Sequence, residues 1–202
     1  MKIMLEGVSP SIWRRLQVPG DVTLGWLHAV IQIGMGWTNS HMHRFIAGDR
    51  IFSGPIFEMN EFEDDPRVID ERKTLLMDIA PHMRSVFRYQ YNFGDSWEHI
   101  VKVEKINDRK PPMGDVAKCL DGARACPPED CGGPSGYADM FEIILDPKHD
   151  EYESTLEWLG GGFDPEAISI ENINKYLSKL KWPRTTKDQL GRLLMQRDNV
   201  RA

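Results

Sequence analysis

No stretch of the 202 residues stays apolar for the length of a membrane span, which takes about 20 consecutive residues. The first apolar cluster, Ile3 to Leu5, is cut off by Glu6 and is too short for the apolar region of a secretion signal. Cysteine is as sparse. Cys119, Cys126 and Cys131 are an odd number crowded into one stretch, which argues against a disulfide framework. Together these absences predict a cytoplasmic protein with no membrane partner. Cations are also short: 25 Lys and Arg face 31 Asp and Glu, for a formal net charge of −6. Such a chain repels a polyanion unless its cations share one face, so nucleic acid is a disfavoured partner.

Several catalytic signatures are missing as well. There is no glycine-framed serine nucleophile and no paired-histidine zinc-protease motif. Gly132-Gly133-Pro134 lacks the Lys-Ser/Thr of a phosphate-binding loop and reads as a structural turn. No internal repeat or low-complexity tract stands out.

What is present is an ordinary globular composition, 41% apolar and 28% charged, enough for a core in one domain. "SIWRRLQVP" alternates, so Ile12, Arg14, Leu16 and Val18 share one face of a strand, with residues 2 to 7 as its companion. Arg14 then points inward and needs a carboxylate or several carbonyls; Asp95 and Glu98 are the leading candidates. In "TLGWLHAVIQIGMGW", Thr23 caps a helix whose stripe is Leu24, Leu27, His28, Ile31, Gly34 and Met35. "HMHRFIAGDRIF" reads as two short strands around Gly48-Asp49, and residues 53 to 73 as an exposed acidic loop. Matched alternation in "VFRYQYNF" and "WEHIVKV" predicts a hairpin that pairs Phe93 with Trp97 and Tyr91 with His99. Tyr91 and His99 lie on its core side in that register, and Glu98 on the other. "CLDGARACPPEDCGGPSGY" has no apolar period and reads as a loop. Helical patterns follow: Tyr137 to Leu145, then about 151 to 159 stopped by Gly160-Gly161-Gly162, then Ile170 to Leu180. The expected fold is α+β, with antiparallel strands mostly in the N-terminal half packed against helices mostly from the C-terminal half. The expected domain is 1–182, followed by a short amphipathic helix or tail at 183–202, where Thr186 and Gln189 have capping-box spacing.

Two sets of residues could bind metal. His41 and His43 form an HxH strand that His99 could complete, with Asp95 or Glu98 in support. Cys119, Cys126 and Cys131 could hold a structural zinc, but their gaps of six and four residues are not the tight pairs of zinc ribbons. Neither set is favoured, and no cofactor is expected. A histidine bonded separately to backbone or carboxylate is the commoner arrangement, and it is the preferred reading of His28 too.

The blocks "SPSIWRRLQVP", "TLGWLHAVIQIGMGW", "HMHRF", "YNFGDSWEH", "CLDGARACPPEDCGGPSGY" and "EWLGGGFDPEAISIENINKYL" occur in this order over about residues 1 to 180. Together they resemble the Ri-plasmid "open reading frame three"-like family, also described as passenger proteins of insertion elements. The matching residues are Trp13, Arg14, His28, Trp37, His41, His43, Phe93, Gly94, Asp95, Trp97, Glu98 and His99, with Cys126 to Asp130 in the loop. The resemblance implies a compact intracellular α+β domain associated with mobile DNA, and it brings no known reaction. Two functions compete. One is a non-catalytic binding or accessory module acting on a partner, most simply a protein, with Trp13, Arg14, His28, Tyr91 and Trp97 as candidate binding residues. The other is a metal-dependent hydrolase, with Asp95, Glu98 and His99 as candidate catalytic residues. The first is preferred, because no complete catalytic motif is present.

Overall fold

The computed structural model describes residues 1–54, 68–107 and 117–180. Among the described residues, eight strands form one sheet: β1 (Lys2–Leu5), β2 (Trp13–Gln17), β3 (His43–Ala47), β4 (Arg50–Ser53), β5 (Val68–Asp70), β6 (Val86–Tyr91), β7 (Trp97–Lys102) and β8 (Lys118–Ala123). Their spatial order is β5-β4-β3-β6-β7-β1-β2-β8, and only the β4–β5 pair is parallel. The helices are α1 (Leu24–Met35), α2 (Leu76–Ile79), α3 (Gly133–Leu145), α4 (Tyr152–Trp158) and α5 (Ile170–Leu177). Strands crowd the first half and helices the second, an α+β fold. No helix among the described residues is long and apolar enough to cross a membrane. The expected tail helix at 183–202 lies outside the described residues, as does the part of the acidic stretch from 55 to 67.

Helix α1 is buried more completely than its stripe predicts. Thr23 caps it, its Oγ1 accepting from the Trp26 N–H at 3.3 Å. Every residue but Gly25 is buried, including Trp26, Ala29, Val30 and Ile33 outside the stripe. A helix that is apolar all round must be covered all round. Here β2 and α5 pack on it, and the chain around 71–76 runs along its N-terminal end, where the Leu24 N–H donates to the Thr74 carbonyl at 2.9 Å.

Three expectations need correction. The β6–β7 hairpin is shifted by two residues, pairing Tyr91 with Trp97 and Tyr89 with His99. An even shift leaves every side chain on its expected face, so Tyr91 and His99 are both fully buried. The cause is Asn92, which leaves the ladder in the left-handed region (φ 53°) and accepts the Gly94 and Asp95 N–H groups on its side-chain oxygen. Residues 68–71 are not an exposed loop, since 68–70 form β5 and Glu71 is buried. The start of the cysteine stretch is a strand, β8, paired to β2. Tertiary pairing overrides its poor strand composition. Helix α5 blunts this edge strand: the Asn174 amide accepts from the Cys119 N–H at 2.7 Å and donates to the Cys119 carbonyl at 2.9 Å.

Two glycines permit close approaches that hold the helices to the sheet. A Cβ on Gly133, itself at φ 71°, would sit 2.3 Å from the Asp95 carbonyl oxygen, so the hairpin loop rests directly on the start of α3. A Cβ on Gly122 would meet Ile168, Arg14 and the Trp13 carbonyl at 3.0 Å or less.

Arg14 faces inward as its alternation predicts and is 2% exposed. Its partners are four carbonyls, not Asp95 or Glu98. Nε donates to Gly34, Nη1 to Trp13 and Ala123, and Nη2 to Arg124, each at 2.8 Å. The fork thus ties the end of α1 to β2 and to the chain leaving β8. Replacing Arg14 by Ala would leave these acceptors dry, and each buried group without a donor costs about 1–3 kcal/mol. Urea unfolding of Arg14→Ala should show a loss of about 3 kcal/mol or more. Arg14→Lys, whose ammonium cannot reproduce the planar fork, should recover only part of it. An Arg14→Ala protein with the wild-type unfolding midpoint and slope would contradict this clamp.

Candidate functional site

Helix α1 ends at Gly36, which takes φ 106° and turns the chain across the end of the hairpin. The turned segment, Trp37 to His43, collects most of the polar side chains that the sequence singles out. Trp37 stacks on Tyr91 with 4.9 Å between ring centres, and its Nε1–H donates to the Pro127 carbonyl at 3.0 Å. On either side of this ring lies a polar network.

The inner network is centred on the Tyr89 hydroxyl. It accepts from Gln32 Nε2 at 2.9 Å and meets His28 Nδ1 at 2.8 Å. His28 Nε2 meets the Asn39 side-chain oxygen at 2.6 Å, an acceptor only. The proton of a neutral His28 therefore sits on Nε2, and the Tyr89 O–H donates to Nδ1. The His28 ring lies parallel on the His43 ring at 3.4 Å, and His43 Nε2 is 2.8 Å from Glu71 Oε2. Glu71 is 5% exposed, and its other carboxylate oxygen is cradled where Gly25 and Gly54 lack side chains, 3.4 Å from the Cβ position of each. Burial pushes the Glu71 carboxyl up to about 7, opposed by His28 when that ring is protonated and aided by the charge of Asp70.

The outer network is centred on Glu129. Its carboxylate takes the Tyr91 O–H at 2.5 Å, the Thr38 N–H at 3.0 Å and the Thr38 hydroxyl. Burial and the neighbouring Glu129 raise the Tyr91 phenol above its usual range. His41 Nε2 lies 2.9 Å from Asp130, which the Asn92 amide also approaches, at 3.4 Å.

The structure scatters the proposed ligand set. His41 Nε2 lies 2.9 Å from Asp130 without forming a hydrogen bond, His43 is bonded to Glu71, and His99 Nδ1 to the Tyr89 carbonyl at 3.1 Å, its Nε2 buried outside any hydrogen bond. His99 is fully enclosed between Tyr89 and Trp37, and burial lowers it to about 4, so it is neutral at pH 7. Glu98 pairs across the sheet with Gln90 on the opposite face, where Arg88 lies 3.9 Å away and burial raises its carboxyl. Asp95 lies in the hairpin loop. The cysteines divide between β8 and the loop after it, with Cys119 buried in the strand and Cys126 and Cys131 half-buried. Among the described residues, no group of three or more His, Cys, Asp or Glu could hold a metal ion.

The candidate binding residues divide too. Trp97 is buried beside Trp37, and Tyr91 and His28 belong to the networks. Trp13 lies on the outer face of β2 with Lys2 4.4 Å above its ring. Sequence reasoning missed Glu71, Gln32, Asn39 and Tyr89. Glu71 looks in sequence like any member of its acidic run, and only the pairing of β5 with β4 turns it inward.

These features define an α+β domain with one mixed sheet, a buried central helix and a polar seam across the hairpin end. The chain belongs to the plasmid pRiA4b ORF-3-like protein family, whose profile matches residues 1–172. It is 37% identical over 187 residues to the uncharacterized protein y4hQ of Sinorhizobium fredii, covering 91% of this chain and 93% of that protein. It also resembles the crystal structure of MM3350, a protein of unknown function from Methanosarcina mazei Go1, at 34% identity and a TM-score of 0.74, covering 85% of this chain and 94% of that one.

Glu71 and His99 have opposite effects on stability. Folded Glu71 holds a proton between pH 4.5 and about 7 that the unfolded chain releases, so its contribution is full below 4.5 and is lost as pH rises to about 7. Folded His99 stays neutral between pH 6.5 and about 4 while the unfolded chain takes up a proton, so its contribution is lost as pH falls through that window. The two slopes offset each other between about pH 4.5 and 6.5. In Glu71→Gln only the histidine term remains, and denaturation midpoints should fall more steeply than wild type on acidification from pH 6.5 to 4.5. Parallel pH profiles for the two proteins would reject this assignment.

Proposed function

We propose that this chain is a non-catalytic binding or accessory module that acts through a protein partner, in the cytoplasm and in association with mobile genetic elements. The observation that carries the reading is the separate engagement of His41, His43 and His99 by Asp130, Glu71 and the Tyr89 carbonyl. A catalytic centre needs its titratable groups aimed at one reacting atom, whereas these three face separate neighbours, with the Nε2 atoms of His41 and His99 buried outside any hydrogen bond. The net charge of −6 supports a protein partner over a nucleic acid.

One observation favours a second reading, a metal-dependent hydrolase. Glu71, raised to about 7 and bonded to His43, has the proton affinity of a general base at neutral pH. Its depth, with both glycines closing on it, supports a structural role instead.

Zinc and manganese content of purified wild type, His43→Ala and Cys126→Ser separates the readings. The binding module predicts no metal held by the histidines, so wild type and His43→Ala should have the same metal content. One equivalent in wild type that is lost in His43→Ala, together with a metal-dependent hydrolytic activity, would overturn it in favour of the hydrolase. Loss in Cys126→Ser alone would assign a structural zinc to the cysteine loop and leave the binding reading in place.

A further inference from the structure

On the far side of Trp37 from the inner network lies an open groove of about 770 Å³. One bank is the end of α1 with Cys126 to Glu129; the other is the chain from Trp158 to Ser169 with α5. Arg14 is in its floor with its fork on the four carbonyls. The walls carry Phe163, Ile168, Ile173 and Tyr176, an apolar lining broken by Ser169 and Asn172. Trp158 stands at the lip, 52% exposed although it is the largest kind of side chain and among the costliest to leave in water. Gly160 and Gly162 line the same bank, and no atom lies within 4 Å of where their Cβ would be. Their positive φ values, not crowding, require glycine, and they leave bare backbone facing solvent.

The bank from Trp158 to Ser169 lies in an acidic stretch of the chain, although the groove's own lining sets Arg14 and Lys175 against Glu129 and Asp164. From Asp146 to Glu171 the chain has eight acidic residues and one Lys or Arg, Lys148, a larger negative charge than the net −6 of the whole protein. All eight are exposed. Glu166 is held by Arg124 at 2.8 Å, and on α5 Lys175 is the cation that lines the groove. The remaining acids, Glu157 and Asp164 on either side of Trp158 and Phe163 among them, face solvent.

We propose that this groove binds an extended basic segment of a partner protein, with an apolar side chain against Trp158 and Phe163 and Lys or Arg side chains along the acidic bank. The exposed acids flanking the Trp158–Ser169 bank favour a basic occupant over nucleic acid or an acidic peptide. The exposed aromatic supplies the kind of anchor that dominates binding energy at such surfaces. The inference rests on the binding-module reading and names its partner class.

The test uses fluorescence anisotropy of a labelled ten-residue peptide of alternating Lys and Leu, with its Glu/Leu counterpart and a labelled DNA duplex as competitors for the inference. Wild type should bind the basic peptide at least tenfold more tightly than the acidic one, and more weakly as salt is raised. Glu157→Lys/Asp164→Lys and, separately, Trp158→Ala should each weaken it about tenfold, while circular dichroism stays that of wild type, because these side chains are exposed. Equal affinity for the two peptides, preference for DNA, concentration-dependent self-association that blocks the groove, or binding indifferent to all three substitutions would overturn the inference. None of these outcomes alters the metal measurement on His43→Ala, which judges the binding-module reading separately.

Discussion

The buried guanidinium of Arg14 is the contact on which the rest of the arrangement depends. A cation at that depth is tolerable only when its donors are used, and here no carboxylate neutralises it. Carbonyl dipoles from three parts of the chain do so instead: Gly34 in α1, Trp13 in β2, and Ala123 and Arg124 where β8 ends. Burial lowers its proton affinity, yet guanidinium starts so high that it stays charged. The fork therefore fixes where α1 stops relative to the sheet. Gly36 turns the chain immediately afterwards, so the position of Trp37 to His43, and with it both polar networks, follows from this one side chain.

The centres of the two networks obey the rule that buried polar groups find partners, while His41 Nε2, Trp97 Nε1 and His99 Nε2 beside them do not. His28, Gln32, Asn39 and Tyr89 complete one another's hydrogen bonds, and Glu129 collects three donors. Of what looks in sequence like a supply of catalytic acids and imidazoles, His28, His43, Glu71 and Glu129 are mutual restraints, whereas His41, Asp95, Glu98 and His99 each keep one buried polar atom outside any hydrogen bond. The restraints hold the hairpin, the segment after α1 and the Cys126–Cys131 loop as one surface. Polar networks that are fully satisfied make a structure more specific, and a partner needs a specific surface as much as an enzyme does. The groove beside Trp37 inherits its shape from the same restraints, with Thr38 and Glu129 belonging both to its bank and to the outer network.

Much of the fold was legible in the sequence because strand alternation and helix capping are local. Ile12, Arg14 and Leu16 turned inward as written, Thr23 caps α1, and Gly48-Asp49 joins β3 to β4. The facing of Tyr91, Glu98 and His99 was legible for the same reason. The exact pairing was not, since Asn92 decides it by taking a left-handed conformation that its alternating neighbours do not announce. Strand β8 was hidden because its Asp121 and Gly122 are poor strand residues that earn their place through β2 and α5. Glu71 was hidden in an acidic run, and the choice of carbonyls over Asp95 for Arg14 is tertiary geometry with no local trace. The site was thus half visible: its histidines stood out, but the residues that occupy them did not.

The most direct test of the claim that these imidazoles are structural restraints is a long-range proton–nitrogen NMR titration of the histidine rings. The account predicts that the His99 ring keeps a neutral pattern on acidification until about pH 4, and that one equivalent of zinc leaves the His41, His43 and His99 resonances where they were. A concerted shift of those three at one equivalent of zinc would contradict it, because they would then share a centre.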